Sequence, residues 1–230
     1  MKTALITGGA ARIGAQIART LHENNFKIII HCNQSLEKAQ LLSDELNSVI
    51  KDSSGVISGN LNNIENISSI VNSIDSLDLL VNNASVFYPK SVDNSEIDDW
   101  NDVINVNLRA PFFLSKGLSK KLSISSGSII NIIDIHADRP LKNHAVYNIS
   151  KAGLKMMTQT LAKELAPNIR VNGVSPGSIL WPEASAEISE TEKKLMLERI
   201  ALNRQGSPLD IANTVLFLAN SDYITGQIIN

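Results

Sequence analysis

The stretch "TALITGGAARIGAQIARTLHENN" (residues 3–25) decides the fold. Residues 3–7 are mostly apolar and read as a buried strand. From Arg12 onward, Ile13, Ile17 and Leu21 recur at helical spacing and define one apolar face. A glycine loop joins the two. Gly8 permits a tight turn, and Gly14 lets the helix approach the strand closely. A strand that turns through glycines straight into a helix presents backbone N–H groups at the helix start, a seat for a pyrophosphate. The middle of the loop, where a third glycine would be usual, holds Arg12. Its planar cationic fork calls for a phosphate, an electron-rich ring or an open mouth to point into.

The same alternation continues downstream. "KIIIHC" (27–32), "GVISGNL" (55–61), "LDLLVNNA" (77–84), "GSIINIID" (127–134) and "IRVNGVSPG" (169–177) read as strands. Helices are expected over 35–50 with Ser35 as N-cap, over about 96–121, over 145–166 up to Pro167, and over 207–220. Continuous apolar strands between amphipathic helices predict an α/β, Rossmann-type doubly wound parallel sheet with helices on both faces. No repeat or long linker divides the chain, so one domain over 1–230 is expected. Residues 182–206 break the rhythm with polar, irregular sequence. In such a sheet they would lie near the carboxyl ends of the strands, where ligands bind.

With 43% hydrophobic and 19% charged residues, the 230-residue chain can bury a single good core. A net charge of −2 gives no footprint for nucleic acid and no polybasic membrane patch. The lone Cys32 excludes an internal disulfide and suits a reducing compartment. No apolar targeting segment opens the chain, and no apolar run reaches membrane-spanning length. A cytoplasmic location is expected, with no membrane or nucleic-acid partner and no metal site.

Two further stretches carry chemistry. The second strand ends in "HCNQS" (31–35). An acid there would accept from an adenosine ribose 2′-hydroxyl and favour NAD. Asn33, Gln34 and Ser35 are neutral groups that accept a 2′-phosphate, so NADPH is the expected cofactor. In the helix over 145–166, Tyr147 and Lys151 stand four residues apart and share a face. An ammonium beside a phenol is expected to lower the tyrosine pKa and make it a proton donor near neutral pH. Asp134, at the end of the fifth strand, stands thirteen residues before that tyrosine.

"TGGAARIG", "NNAS", "NVNLRAPFFL", "YNISK" and "SPG", in this order, make the chain resemble the short-chain dehydrogenase/reductase family over essentially every residue. The resemblance implies hydride transfer from a nicotinamide cofactor. It implies catalytic positions at Tyr147 as proton donor, Lys151 on the nicotinamide ribose and tuning the tyrosine, and Asn107 holding a water of the proton relay. It places cofactor contacts at Gly8, Arg12, Ile13 and Gly14, at Asn33, Gln34 and Ser35, and at Asn60 and Leu61. Further contacts fall at Asn83, Ala84 and Ser85, at Tyr147 and Lys151, and at Pro176, Gly177 and Ser178.

Most members carry serine where this chain has Asp134. That aspartate, Arg12, "NNASVFYP" (82–89) and "SPGSILWPE" (175–183) resemble one branch, the pteridine reductases and their bacterial dihydromonapterin reductase relatives. On that resemblance Phe87 would stack on a pterin ring, Ser85 would lie near the cofactor, and Arg12 would sit between pterin and phosphates. Substrate contacts would also come from Asp134, Tyr147 and Trp181. The branch's arginine after the second strand is missing here. The chain stops at "ITGQIIN" (224–230), where the family usually continues into a glycine-rich tail, so a shortened C-terminus is expected. The family pairs its two long helices across a two-fold axis. A homotetramer is therefore expected, with Phe112, Leu161 and Leu165 on the paired faces.

A carboxylate suits a nitrogen heterocycle better than a ketone. It cannot donate to a carbonyl oxygen that is gaining charge. It can accept from ring N–H groups, and it could feed a proton to Tyr147 for the basic nitrogen that hydride addition leaves. The expected activity is NADPH-dependent reduction of a dihydropterin to a tetrahydropterin, with dihydrofolate as a second candidate. One rival is a carbonyl reductase of the same fold, of the 3-oxoacyl-carrier-protein reductase type, against which Asp134 and Arg12 argue. Another is a dinucleotide-binding protein without chemistry, against which the intact Asn107, Tyr147 and Lys151 argue.

Overall fold

The computed structural model describes residues 1–181 and 189–230. Seven strands are found there: β1 Lys2–Ile6, β2 Phe26–Cys32, β3 Ser54–Ser58, β4 Leu79–Asn82, β5 Ser128–Ile132, β6 Arg170–Val174 and β7 Ile228–Ile229. They form one parallel sheet in the order β3-β2-β1-β4-β5-β6-β7. The helices are α1 Arg12–Glu23, α2 Leu36–Val49, α3 Ile64–Asn72, α4 Ile97–Ile104, α5 Ala110–Ile124, α6 Ala145–Glu164, α7 Glu190–Glu198 and α8 Pro208–Asn220.

The central strands β4 and β5 are buried along their whole length because they are covered on both faces, while the edge strands β3 and β7 are only partly buried. In β1, Ala4 and Ile6 join a core with Ile17 and Leu21 of α1, Leu42 and Leu46 of α2, and Val215 and Leu218 of α8. Leu5 points to the other core, built from Ile67 and Ile70 of α3, Leu114 and Leu118 of α5, and Leu154 and Leu161 of α6. The chain runs outward from β1 through β2 to β3, then returns to pair β4 on the other side of β1. That reversal leaves a crevice at the carboxyl ends of β1 and β4, the place where ligands bind in sheets of this kind. No helix among the described residues is long and apolar enough to cross a membrane.

The structure departs from the sequence reading at several points. The helix α3 was not expected; Asn63 starts it, its side chain accepting from the backbone N–H of Glu65 at 2.7 Å and Asn66 at 3.2 Å. The single helix expected over 96–121 is two helices joined by a π-helical turn, Asn105–Arg109. Ser35 is the N-cap of α2, but its hydroxyl makes no capping bond. Leu161 is buried and Leu165 packs against the core. The large apolar side chains that α5 and α6 expose are Phe112, Phe113, Ile124, Ile149 and Met156, while Met157 is buried. Of the irregular stretch 182–206, residues 182–188 lie outside the described residues and 190–198 form α7.

Candidate active site

Beyond β5 the chain leaves the sheet through Ile133 and Asp134. Asp134 caps a single 3-10 turn, Ile135–Ala137, its Oδ1 accepting from the His136 backbone N–H at 2.8 Å. The turn is fastened across the sheet, since the Ile135 N–H donates to the Pro176 carbonyl at 3.1 Å. The second carboxylate oxygen, Oδ2, accepts from the Tyr147 hydroxyl at 2.7 Å. Both oxygens therefore act as acceptors.

Tyr147 lies in the first turn of α6 and Lys151 one turn further on. They are 6% and 2% exposed. The Lys151 Nζ donates to the Ile132 carbonyl at 3.0 Å and stands 5.6 Å from the centroid of the Tyr147 ring. The lysine thus faces the ring, while the carboxylate faces the hydroxyl. Burial, followed by the charge and hydrogen bond of Asp134, pushes the Tyr147 pKa far above that of an ordinary phenol; a hydrogen bond with Ser85 works the other way. This corrects the expectation that Lys151 lowers it: spacing on a helix puts the two side chains on one face, but the group that reaches the oxygen is an acid. Burial brings Lys151 down to about 8, against an upward pull from Asp134. The phenol holds its proton, as a donor must.

Asn107 sits in the π-helical turn, fully buried. The extra residue of the turn aims its amide at the segment after β4. Its Oδ1 accepts from the Val86 N–H at 2.7 Å, and its Nδ2 donates to the Val86 carbonyl at 2.9 Å and to the Ser150 hydroxyl at 3.2 Å. Ser150 in turn donates to the Tyr147 carbonyl at 2.7 Å. The Asn107 side chain is committed to these bonds, which position Ser85, Phe87 and Tyr147. Phe87 is 48% exposed; its ring meets Tyr147 edge-on at 4.8 Å and stacks on His144 at 4.7 Å.

Local geometry also answers whether the residues here fit a dinucleotide. Gly8 lies at φ +62 with its α-carbon face against Ala84. A Cβ at Gly14 would strike the Gly8 carbonyl and the Asn83 amide, so helix, loop and β4 meet without slack. The α1 N-cap is Ala11, which has no side-chain cap, so the first N–H groups of the helix have no side-chain acceptor there. Asn83 holds the loop through Nδ2 bonds to the carbonyls of Thr7 at 2.9 Å and Gly8 at 3.0 Å. The Thr7 hydroxyl accepts from the N–H groups of Asn83 and Ala84 at 2.9 and 3.0 Å. Asn33, Gln34 and Ser35 are exposed at the end of β2, and Asn60 and the buried Leu61 follow β3 on the same rim. The loop after β6 brings Pro176, Gly177 and Ser178 up beside the Asp134 turn. These features fit a dinucleotide laid across the crevice. Ile13, at the start of α1, is partly buried and packs against the core.

Arg12 is exposed and takes φ +53, the left-handed conformation that a glycine adopts freely. For an arginine it costs on the order of 1–3 kcal/mol. Lys193 of α7 stands 6.0 Å from the centroid of the Trp181 ring. Thr7, Ser150 and His31 are residues of the site that the sequence reading did not single out. Only their neighbourhood in "TGG", "YNISK" and "HCNQS" pointed toward them.

Comparisons with known proteins agree on the fold and differ in the activities they name. A profile of the family described as enoyl-(acyl carrier protein) reductase matches residues 8–230. The 3-oxoacyl-[acyl-carrier-protein] reductase of Rickettsia bellii is 38% identical over 98% of this chain and 93% of its own length. The enzyme of the same name from Staphylococcus epidermidis is 36% identical over 100% of this chain and 96% of its own. Among solved structures, the FolM alternative dihydrofolate reductase 1 from Brucella canis, complexed with NADP, superposes with a TM-score of 0.88. It is 30% identical and covers 99% of this chain and 91% of its own.

Proposed function

Because the chain belongs to the short-chain dehydrogenase/reductase family, we propose that it is an NADPH-dependent reductase of a dihydropterin, acting on a ring C=N bond. One observation carries this reading: a carboxylate, Asp134, accepts the hydroxyl of the proton donor Tyr147 where a ketone reductase needs a donor to its substrate. The solved relative named as an alternative dihydrofolate reductase supports it, and its NADP supports the cofactor.

NADPH, when bound, supplies hydride to the carbon of the C=N bond. The glycine loop and Asn83 would hold it at the crevice, with Asn33, Gln34 and Ser35 at its 2′-phosphate. Tyr147 gives its proton to the ring nitrogen. The Lys151 ammonium, 5.6 Å from the ring centroid, offsets the phenolate charge that remains. Asp134, partly exposed and bonded to the phenol, carries the replacement proton from solvent. Phe87 offers its open side to the flat ring, with His144 behind it. Phe87→Ala should raise the pterin KM roughly 2- to 10-fold, the worth of an aromatic stack. Fluorescence titration should show the NADPH Kd unmoved; equal damage to both would make Phe87 a structural residue.

A second reading is a 3-oxoacyl-carrier-protein reductase, and the names of the curated relatives support it better than they support the pterin reading. Rates of NADPH oxidation with dihydrobiopterin, dihydromonapterin, dihydrofolate and an acetoacetyl thioester, measured side by side, separate the two. A dihydropterin should be fastest, and NADH should serve less well. A faster thioester would replace the first reading with the second, and cofactor binding without turnover would leave a non-catalytic protein. Assembly is part of the proposal: copies would pair through Phe112, Phe113, Ile149 and Met156, which light scattering reads directly.

A further inference from the structure

His31, at the end of β2, is 1% exposed and takes no part in the proton transfer above. Its Nδ1 accepts from the Gly8 N–H at 3.3 Å, and its Nε2 lies 2.9 Å from the Gly59 carbonyl. A donor on one side and an acceptor on the other leave one arrangement: a neutral ring with its hydrogen on Nε2. The backbone repeats the tie, since the His31 carbonyl accepts from Gly9 at 2.9 Å and the Cys32 carbonyl from Gly59 at 3.0 Å. The imidazole therefore spans two loops. One is the glycine loop after β1. The other, Gly59 to Leu61 after β3, lies across β2 from it.

We propose that His31 is a positioning residue for NADPH, holding the glycine loop and the loop after β3 at the separation that the pyrophosphate and the adenosine part of the dinucleotide require. This rests on the reading that the glycine loop takes a dinucleotide. Gly8, at φ +62 against Ala84, has little room to readjust if the bond is lost. The groups against the ring are the backbones of Gly8 and Gly59; burial lowers its pKa, the Gly59 bond pulls the other way, and no charged side chain contributes. Protonation would set an Nδ1–H against the Gly8 N–H. The tie is therefore still intact at the ordinary value of 6.5 and is lost as the pH falls through the ring's own, lower value.

The test is the NADPH Kd by fluorescence titration from about pH 5.5 to 8 for the parent, His31→Asn, which keeps an acceptor near Nδ1, and His31→Leu, which keeps neither bond. The leucine variant should bind at least about tenfold more weakly and the asparagine variant about threefold. The weakening that the parent shows in acid should be smaller in the asparagine variant. A folded leucine variant with the parent's Kd, the same acid weakening in parent and asparagine variant, or a fall in kcat at saturating NADPH with Kd unchanged would overturn the proposal. In the unaltered enzyme, nitrogen NMR should find the hydrogen on Nε2; finding it on Nδ1 would overturn the proposal without any variant. A parent that binds no NADPH would overturn the cofactor reading together with it.

Discussion

Serine in place of Asp134 is expected to cut turnover of a dihydropterin by about 10²–10⁴-fold, the range for loss of an acid–base group. The fold should survive, because serine serves as well as aspartate at the N-cap of the turn Ile135–Ala137. What goes is the acceptor 2.7 Å from the Tyr147 hydroxyl and the carboxylate that returns its proton. Two of the causes that raise the phenol's pKa go with it, leaving burial, so the phenol should ionise at lower pH. Ultraviolet absorbance during alkaline titration follows that directly. Serine also adds a donor. Reduction of an acetoacetyl thioester should rise in the variant, because a hydroxyl can support a carbonyl oxygen that is gaining charge and a carboxylate cannot. The same pair of measurements weighs the second reading: an enzyme built for acyl ketones would have the thioester as its best substrate before the change. A serine variant that reduces dihydropterins as well as the parent would deny Asp134 any special part, and the pterin reading would lose its main support.

Legibility in the sequence followed burial. Six of the seven strands could be read because apolar residues dominate where both faces are covered, as in "TALIT" and "GSIINI"; β7, two partly buried residues, was not among them. Helix α3 was hidden because its asparagines, serines and isoleucines are weak helix formers and its fully buried face is only Ile67 and Ile70; Asn63 was the available signal. The π-helical turn at Asn107 adds one residue and shifts the phase of the apolar face after it, a shift that a single helix read over 96–121 passes over. Tyr147, Lys151, Asp134 and Phe87 were all legible and do come together. Their electrostatics were not, because a helical offset of four says which side chains share a face and not which one reaches an oxygen. Thr7, Ser150 and His31 act by tying backbone segments that are far apart in the chain. No local pattern encodes that proximity.

Tyr147→Phe is expected to lower kcat by about 10²–10⁴-fold with little change in KM, since the ring stays and its proton goes. The edge-on contact with Phe87 at 4.8 Å and the neighbouring Lys151 involve the ring, so the pterin seat should persist. Asp134 Oδ2 loses its donor, and a partly exposed carboxylate can turn to water instead. The pH dependence of the parent separates this chemistry from mere stability. Lys151 sits at about 8, well below its ordinary 10.5. As the pH rises through about 8 it loses the charge that offsets the phenolate, and kcat should fall. Stability runs the opposite way. Between about 8 and 10.5 the unfolded chain binds the lysine proton and the folded chain does not, so this group's contribution to stability grows with pH. Activity falling while the melting temperature holds or rises would mark Lys151 as the titrating group. In Tyr147→Phe there is no phenolate to offset, so the residual rate should lose that basic limb. A phenylalanine variant with near-parent kcat would assign proton donation to another group. One that keeps the limb would detach it from the Tyr147–Lys151 pair.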